Sequence, residues 1–454
     1  MEDCLAVVLA AGEGTRMKSN KLKVLHAAAG RPMIKWVMSA LGEAGVNRSV
    51  VVCGRGMEEL KAELGNILFA EQAERLGTGH AVMQALPFLK DFDGYILIMP
   101  GDMPLYTAKT IQSVYKKAKS GGYGCAILTA LYQNPFGYGR IIRDGEGNVL
   151  RIVEEANAAD EEKKICEANA FLYCIKASLL RKCLEKLQPT PPKNEYYLTD
   201  IVEMLAAGGE KVGAYVAPDA TECLGVNDRA QLAQVAKILR RRIAEKHMLN
   251  GVTIIDPDNT YIDADTVIGL DTVIYPGVIL ENSRIGEGVT LYQGSRIAGS
   301  EIGDGSDVQN SVVLNSVVGK NTTVGPYAYL RPGTKIGDRC RVGDFVEVKN
   351  SSIGDGTKVS HLTYIGDSDL GKAINVGCGV VFVNYDGKKK HRSTVGDRAF
   401  IGCNTNLVSP VRVGEGAYIA AGSTITEDVP AHALAIARSR QVNKTEWKDK
   451  RDEE

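Results

Sequence analysis

The chain has 454 residues, with 54 Lys and Arg against 55 Asp and Glu, a formal net charge of -1 and 24% charged residues. That balance leaves no electrostatic footprint for nucleic acid or a membrane surface as partner, and small-molecule work is the expected role. The N-terminus lacks a basic region leading into an apolar one, and no segment approaches the ~18 apolar residues of a membrane span, so a cytoplasmic protein is expected.

The length exceeds one ordinary core. Ten cysteines run from Cys4 to Cys403 without a Cys-x-x-Cys pair, which suggests reduced, mostly buried thiols and neither a zinc site nor a disulfide framework.

The first apolar run, Leu5 to Leu9, leads directly into Leu9-Ala10-Ala11-Gly12-Glu13-Gly14-Thr15-Arg16-Met17, followed by Lys21, Lys23 and Gly30-Arg31-Pro32-Met33. Glycines let backbone N–H groups approach an anion, and Arg16 and Lys23 add positive charge where a triphosphate would gather it. Neither common phosphate motif fits, since Met17 stands where the dinucleotide fingerprint needs a third Gly and the P-loop Gly-Lys-Ser/Thr is missing. The glycines alone would equally suit a tight βα turn. A helix near Met33 to Ala44, a strand over Ser49 to Cys53 and a helix over Glu58 to Leu64 follow. The alternation continues through Gly79 to Leu89, Tyr95 to Met99, Ala108 to Lys119 and Cys125 to Leu131, predicting a mainly parallel, doubly wound α/β sheet with its ligand at the strands' carboxyl ends. One long helix from Asp228 to Leu249 places Leu232, Val235, Leu239 and Ile243 on one side and is the natural linker. Arg240 to Arg242 read as a solvated face.

From Val267 an aliphatic residue recurs every sixth position, in runs from Val267 to Ile297, Val318 to Val348 and Val395 to Ile425, often followed by Gly. Hexapeptide periodicity is the signature of a parallel β-helix, in which stacked turns bury an aliphatic column. The phase slips after Val348 and after Ile365, and breaks after Phe382, where Asn384-Tyr385-Asp386-Gly387-Lys388-Lys389-Lys390-His391-Arg392-Ser393 must project as a basic loop. Just upstream, His361-Leu362-Thr363-Tyr364 places an imidazole beside a phenol, and Arg331, Lys349 and Lys390 supply cations. An imidazole is suited to deprotonating an amine near neutrality. The tail from Lys444 to Glu454 is dense in charge and is expected to be loosely held.

The opening loop, with Lys23 seven residues past Arg16, resembles that of the sugar-phosphate nucleotidylyltransferases. Further matches follow in order at Gln72, Leu76-Gly77-Thr78-Gly79-His80-Ala81, Gly101-Asp102-Met103-Pro104-Leu105, Gly137-Tyr138-Gly139-Arg140 and Ile152-Val153-Glu154. Asn169, Glu195-Tyr196-Tyr197-Leu198-Thr199-Asp200 and Gly225-Val226-Asn227 complete the series. Together with the hexad ladder, the chain resembles the bacterial bifunctional N-acetylglucosamine-1-phosphate uridylyltransferase / glucosamine-1-phosphate N-acetyltransferases over almost its whole length. Two departures stand out. Asn169 is followed by Ala170-Phe171 where that family carries Thr-Gly, and Pro100 precedes Gly101-Asp102 where an aromatic residue or Cys is frequent.

The resemblance implies an N-terminal Rossmann-like nucleotidyltransferase domain over 1–228, a linker helix over 229–249 and a left-handed parallel β-helix over 250–454, packed as a homotrimer. It assigns the uridylyl site to Leu9, Ala10, Ala11, Gly12, Gln72, Gly77 and Thr78 around the nucleotide, with Gly139, Glu154, Asn169 and Thr199 around the amino sugar. Arg16 and Lys23 assist transfer, and Asp102 with Asn227 hold magnesium. In the β-helix it makes His361 the base, gives Arg331, Lys349, Tyr364 and Asn375 (with Lys390) to glucosamine-1-phosphate, and gives Cys378, Asn384, Tyr385, Cys403, Ala421 and Arg438 to acetyl-CoA. The implied activity is acetylation of glucosamine-1-phosphate by acetyl-CoA, then coupling to UTP to give UDP-N-acetylglucosamine, a cell-wall precursor. A single-activity sugar-phosphate nucleotidylyltransferase with a structural or regulatory β-helix would give no reason for His361, Asn384-Tyr385 and the lysine loop to occur together, and a non-catalytic scaffold would leave Arg16, Lys23, Asp102 and Asn227 without a purpose.

Overall fold

The computed structural model describes residues 1, 3–190, 194–445 and 447, so most of the expected tail lies outside the described residues. Internal contacts divide the chain into two compact units, Met1–Leu239 and Arg240–Glu454.

In the first unit, β1 (Cys4–Ala10), β2 (Ser49–Cys53), β3 (Leu68–Glu71), β4 (Tyr95–Pro100), β5 (Cys125–Leu131), β6 (Arg140–Arg143), β7 (Val149–Val153), β8 (Glu167–Lys176) and β9 (Val212–Val216) form one sheet. Its main order is β9-β5-β8-β4-β1-β2-β3. Pairing is parallel for β1 with β2 and β4, β2 with β3, and β5 with β9; β8 runs antiparallel between β4 and β5. The β6–β7 hairpin hangs from β8.

The apolar β1 run, Cys-Leu-Ala-Val-Val-Leu-Ala, is buried on both faces, as a central parallel strand must be. Alternation splits it. Cys4, Ala6 and Val8 join Ile34, Val37 and Leu41 of α1 (Met33–Glu43) and Ile111 and Val114 of a helix over Ala108–Ser120. Leu5 and Val7 face Val82, Leu180, Leu184 and Ile201 on the other side. Because the chain order reverses beside β1, a crevice opens at the carboxyl ends of β1 and β4. The doubly wound expectation therefore holds, with the reversed β8 as an element that the alternation did not disclose.

A helix over Arg229–Leu249 spans the boundary between the units. Its Val235 and Leu239 join Met17, Met33 and Leu105, whereas Ala244 joins the core of the second unit.

The second unit is a three-sided parallel β-helix with sheets of 11, 10 and 9 strands. Successive turns stack in register, as in Ile336↔Ile353 and Ile353↔Leu370. The runs from Val318 to Val348 and Val395 to Ile425 point inward as read. In the first run Ile285, Leu291 and Ile297 point inward as read, but its first three positions are one residue early: Ile268, Ile274 and Leu280 are buried, while Val267 is 52% exposed. There each strand carries two adjacent aliphatics, Val267-Ile268 and Val273-Ile274, and a strand sends only one of two neighbours inward. Buried hydroxyls brace the corners. Ser306 Oγ donates to Gly319 O at 2.7 Å and accepts from Thr322 N at 2.9 Å, so these polar atoms are paired despite burial.

Candidate active sites

A cleft of about 440 Å³ opens at the carboxyl ends of the first unit's strands, lined by Leu9, Ala11, Gly12, Gln72, Gly77, Thr78, Asp102 and Glu154 among others. At one end Lys23 Nζ is ion-paired with Asp102 Oδ2 and lies 3.4 Å from Asn227 Oδ1. One cation centre therefore reaches both oxygens. Backbone conformation explains two of the glycines. Gly14 has φ +63, and a Cβ there would stand 2.7 Å from Lys23 Cβ; Gly77 has φ +107, and a Cβ there would stand 2.5 Å from Tyr196 O. Only glycine takes such backbone at low cost. Gln72 is buried; its Nε2 lies 3.1 Å from Gly77 O and 3.1 Å from His80 Nδ1.

Farther along, Thr199 Oγ1 donates to Glu154 Oε1 at 3.2 Å, and burial raises the Glu154 pKa above the ordinary carboxylate value. Asn169 is fully buried: its Nδ2 donates to Tyr173 OH at 2.7 Å, and its Oδ1 accepts from Phe171 N at 3.0 Å. Its backbone N donates to Gly139 O at 2.8 Å, which ties these two motif segments together. Phe171, Tyr173, Pro100 and Arg75 also line the cleft. Arg75 is ion-paired with Glu13 of the glycine loop.

On the β-helix, His361 and Asp344 are register partners in adjacent turns, with His361 Nδ1 2.7 Å from Asp344 Oδ1. The hydrogen bond from His361 holds the Asp344 carboxyl below its ordinary pKa. Two strands of the next sheet, Glu347–Lys349 and Tyr364–Gly366, run onward from this corner. At their far edge Lys349 stands against Lys390; that ammonium, then desolvation and the Arg331 charge, lowers the Lys349 pKa below the usual lysine value. Arg331 Nη1 donates to Glu347 Oε1 at 2.7 Å. Asn384 Nδ2 donates to Asp367 Oδ2 at 2.6 Å and lies 3.4 Å from Tyr364 OH. The basic loop is shaped by Asp386, whose Oδ1 accepts from Lys388 N and Lys389 N at 2.7 Å each and whose Oδ2 lies 2.7 Å from His391 Nε2. Cys378, Cys403 and Ala421 lie in a backbone ladder, Asn404 N donating to Cys378 O at 2.7 Å and Gly422 N to Cys403 O at 2.8 Å. All three are exposed, which leaves a shallow strip of small side chains.

The description MobA-like NTP transferase domain matches residues 6–190, and bacterial transferase hexapeptide (six repeats) matches 315–350 and 392–427. The chain is 52% identical to the bifunctional protein GlmU of Acetivibrio thermocellus, with 98% of this chain and 97% of the relative covered. It is 51% identical to that of Clostridium botulinum (strain 657 / Type Ba4), with 99% of each covered, and 50% identical to that of Geobacillus sp. (strain WCH70), with 98% and 97% covered. The chain belongs to the GlmU family. Its hexapeptide prism is accordingly the left-handed form of the parallel β-helix.

Within this GlmU-family chain the structure groups Lys23, Asp102 and Asn227, and separately Glu154 and Thr199. Arg16 is exposed on the loop and is not among the cleft-lining residues. Asn375 pairs with Lys358 and Phe400 in the sheet that carries His361, whereas Tyr364 and Lys349 belong to the next. Arg438 Cδ would lie 3.9 Å from a Cβ on Gly422, beyond the Ala421 step. The motif series did not single out Asp344, Asp367 or Arg75. Asp344 could have been found by counting one turn back from His361, because turns repeat at the |i−j|=17 spacing that separates the pair. No periodic signal marks Arg75.

Among the described residues all ten cysteines are free, with Cys166, Cys378 and Cys403 exposed and the others buried. No helix among them is long and apolar enough to cross a membrane.

Proposed function

We propose that the two activities are housed one in each unit, uridylyl transfer in Met1–Leu239 and acetyl transfer in the β-helix. The protein is a UDP-N-acetylglucosamine pyrophosphorylase and a glucosamine-1-phosphate N-acetyltransferase. The observation that carries the assignment is that each unit holds its own polar constellation: Lys23, Asp102 and Asn227 on a nucleotide-sized cleft, and on the β-helix the His361–Asp344 pair with a separate cluster of Lys349, Lys390 and Arg331.

In the first site the sugar 1-phosphate is already an anionic nucleophile, so the protein must position it and neutralise charge. A bond forms from its phosphate oxygen to the α-phosphorus of UTP, and the bond to the leaving pyrophosphate breaks. Leu9 to Gly12, Gln72, Gly77 and Thr78 hold the nucleotide, and Gly139, Glu154, Asn169 and Thr199 shape the sugar end. Lys23 and Arg16 supply positive charge. The Asp102 carboxylate and Asn227 amide oxygen, both within reach of one ammonium, would hold magnesium, a hard cation suited to oxygen donors. Bound there, magnesium would neutralise charge between the phosphate groups.

In the second site Asp344 accepts the Nδ1 proton of His361, which leaves the lone pair on Nε2. Nε2 takes a proton from the ammonium of glucosamine-1-phosphate. The freed amine attacks the thioester carbonyl of acetyl-CoA; the C–N bond forms, the C–S bond breaks, and the second proton that the nitrogen sheds to become an amide protonates the departing CoA thiolate. Arg331, Lys349 and Lys390 face the phosphate, with Tyr364 and Asn375 completing the sugar contacts. Cys378, Asn384, Tyr385, Cys403, Ala421 and Arg438 hold acetyl-CoA along the strip of small residues.

We place the enzyme in the cytoplasm as a homotrimer built through the β-helix. Support for a protein-covered corner comes from Tyr327 and Phe345, 59% and 60% exposed in one chain and stacked with centroids 5.6 Å apart, since exposed apolar patches mark interaction surfaces.

The test is to run the half-reactions separately, N-acetylglucosamine-1-phosphate with UTP and glucosamine-1-phosphate with acetyl-CoA, with magnesium and then with excess EDTA. The expected result is that EDTA stops the first and spares the second. Equal loss of both, or survival of uridylyl transfer, would overturn the assignment.

A further inference from the structure

We infer that Phe171 is a specificity-determining wall of the uridylyl site, an aromatic surface against which the apolar C–H face of the hexose ring of the sugar 1-phosphate lies; this rests on the uridylyl-transfer reading. The starting observation is conformational. Phe171 has φ +56, a left-handed backbone that disfavours any residue with a Cβ and a bulky one most. A large aromatic retained at such a position is held against its backbone preference, and strain of this kind clusters where a site needs it.

The local structure does not need the ring to keep that backbone in place. Asn169 Oδ1 accepts from Phe171 N at 3.0 Å, Asn169 N donates to Gly139 O at 2.8 Å, and Tyr106 OH donates to Ala170 O. These bonds fix the irregular stretch where β8 slips register against β5 between Asn169 and Tyr173. All of them would survive loss of the side chain.

The ring packs in part against the core that holds Ala170 and Leu172, and it also borders the space for a ligand. Phe171 is half-buried and lines the cleft. Its ring rests at a tilt on Tyr138, with centroids 6.5 Å apart, and Tyr138 is stacked on Tyr132 at 4.8 Å. The cleft also carries Glu154 and Thr199, which can take sugar hydroxyls. An apolar ring together with convergent polar groups is how a pocket orients a ligand with one apolar and one polar face.

The experiment compares wild type with Phe171→Gly, Phe171→Ala and Phe171→Tyr, measuring KM for N-acetylglucosamine-1-phosphate, KM for UTP, kcat and the thermal midpoint. Losing contacts that serve ground state and transition state alike raises KM and leaves kcat in place. The expected result is a sugar-phosphate KM about tenfold higher in both the Gly and Ala variants, with UTP KM and kcat within about twofold and Tyr near wild type. Phe171→Gly should melt at or above Phe171→Ala, because only Gly releases the strain. An unchanged sugar KM in Phe171→Gly would overturn the inference, and so would a rise confined to Gly, which would assign the effect to backbone freedom. If wild type itself forms no UDP-sugar, the site reading fails first, and that outcome is separate from both.

Discussion

Replacing Phe382 with Ala should uncouple the two activities by heat. Phe382 is completely buried, in the last strand, Val381–Val383, before the basic loop. Its turn is pinned on both sides: Tyr364 N donates to Val380 O at 3.1 Å, and Val381 N to Thr405 O at 2.9 Å, with Phe382 paired to Leu407. Neighbouring turns held by such ladders cannot collapse into the space the ring leaves, so the cost belongs in the upper part of the ~3–5 kcal/mol range for Phe→Ala. For a unit of this size, about 4 kcal/mol lowers the midpoint of its unfolding by roughly 8–16 °C. One residue beyond Val383, Asn384 is anchored to Asp367 at 2.6 Å and begins the loop carrying Tyr385 and Lys390. Heating the variant in steps and assaying each half-reaction should therefore show acetyl transfer lost well below the temperature at which uridylyl transfer is lost. Parallel loss of both activities, or an unshifted acetyltransferase inactivation curve, would refute the reasoning.

Three further outcomes are expected. Asp344→Ala should slow acetyl transfer about 10- to 100-fold, a part of the roughly 10²–10⁴-fold that a positioned general base supplies, and should alter the rising limb of its pH profile, while uridylyl transfer stays at the wild-type rate; an unaltered profile contradicts the orienting role. Glu154→Gln bears on pH and stability. Because burial raises the carboxyl's folded pKa, the folded state binds the proton more tightly, and wild type loses stability as pH climbs past the unfolded value of ~4.3. The variant should thus melt higher than wild type at pH 8, with the gap closing toward pH 4, and a pH-independent gap in scanning calorimetry would count against this. Gly77→Ala places a Cβ 2.5 Å from Tyr196 O at φ +107, where backbone pinned by Tyr196 N to Leu76 O at 2.7 Å and by Gly79 N to Tyr196 O at 2.7 Å cannot yield. It should cost more than about 1 kcal/mol and raise the KM for UTP, as melting and uridylyl kinetics will show.

Much of this architecture is legible in the chain because two strict periods are written into it. Apolar runs such as Leu5 to Leu9 fit only a strand covered on both faces, and the sixfold aliphatic recurrence fits only a coiled sheet. Where two aliphatics adjoin, as at Val267-Ile268, the period is visible but its phase is not, since either neighbour could turn inward. The reversal of β8 is invisible for a similar reason: a buried strand reads the same in both directions. At the sites, the side chains proposed to meet ligands are those that the resemblance implies, whereas those that touch only another side chain are not. Asp344 reaches His361 across one turn, and Arg75 reaches Glu13 across a loop. Phe171 was visible as a departure, but the left-handed backbone that gives it meaning appears only in three dimensions.

The most direct test of two independent sites is a mass-spectrometric assay of His361→Ala and Asp102→Ala, alone and mixed, with glucosamine-1-phosphate, acetyl-CoA, UTP and magnesium. His361→Ala should leave glucosamine-1-phosphate unacetylated, Asp102→Ala should accumulate N-acetylglucosamine-1-phosphate, and the mixture should recover UDP-N-acetylglucosamine, because the intermediate can pass through solution between the two proteins. Acetylation at the wild-type rate by His361→Ala, UDP-sugar formation at the wild-type rate by Asp102→Ala, or a mixture as inactive as its parts would contradict it.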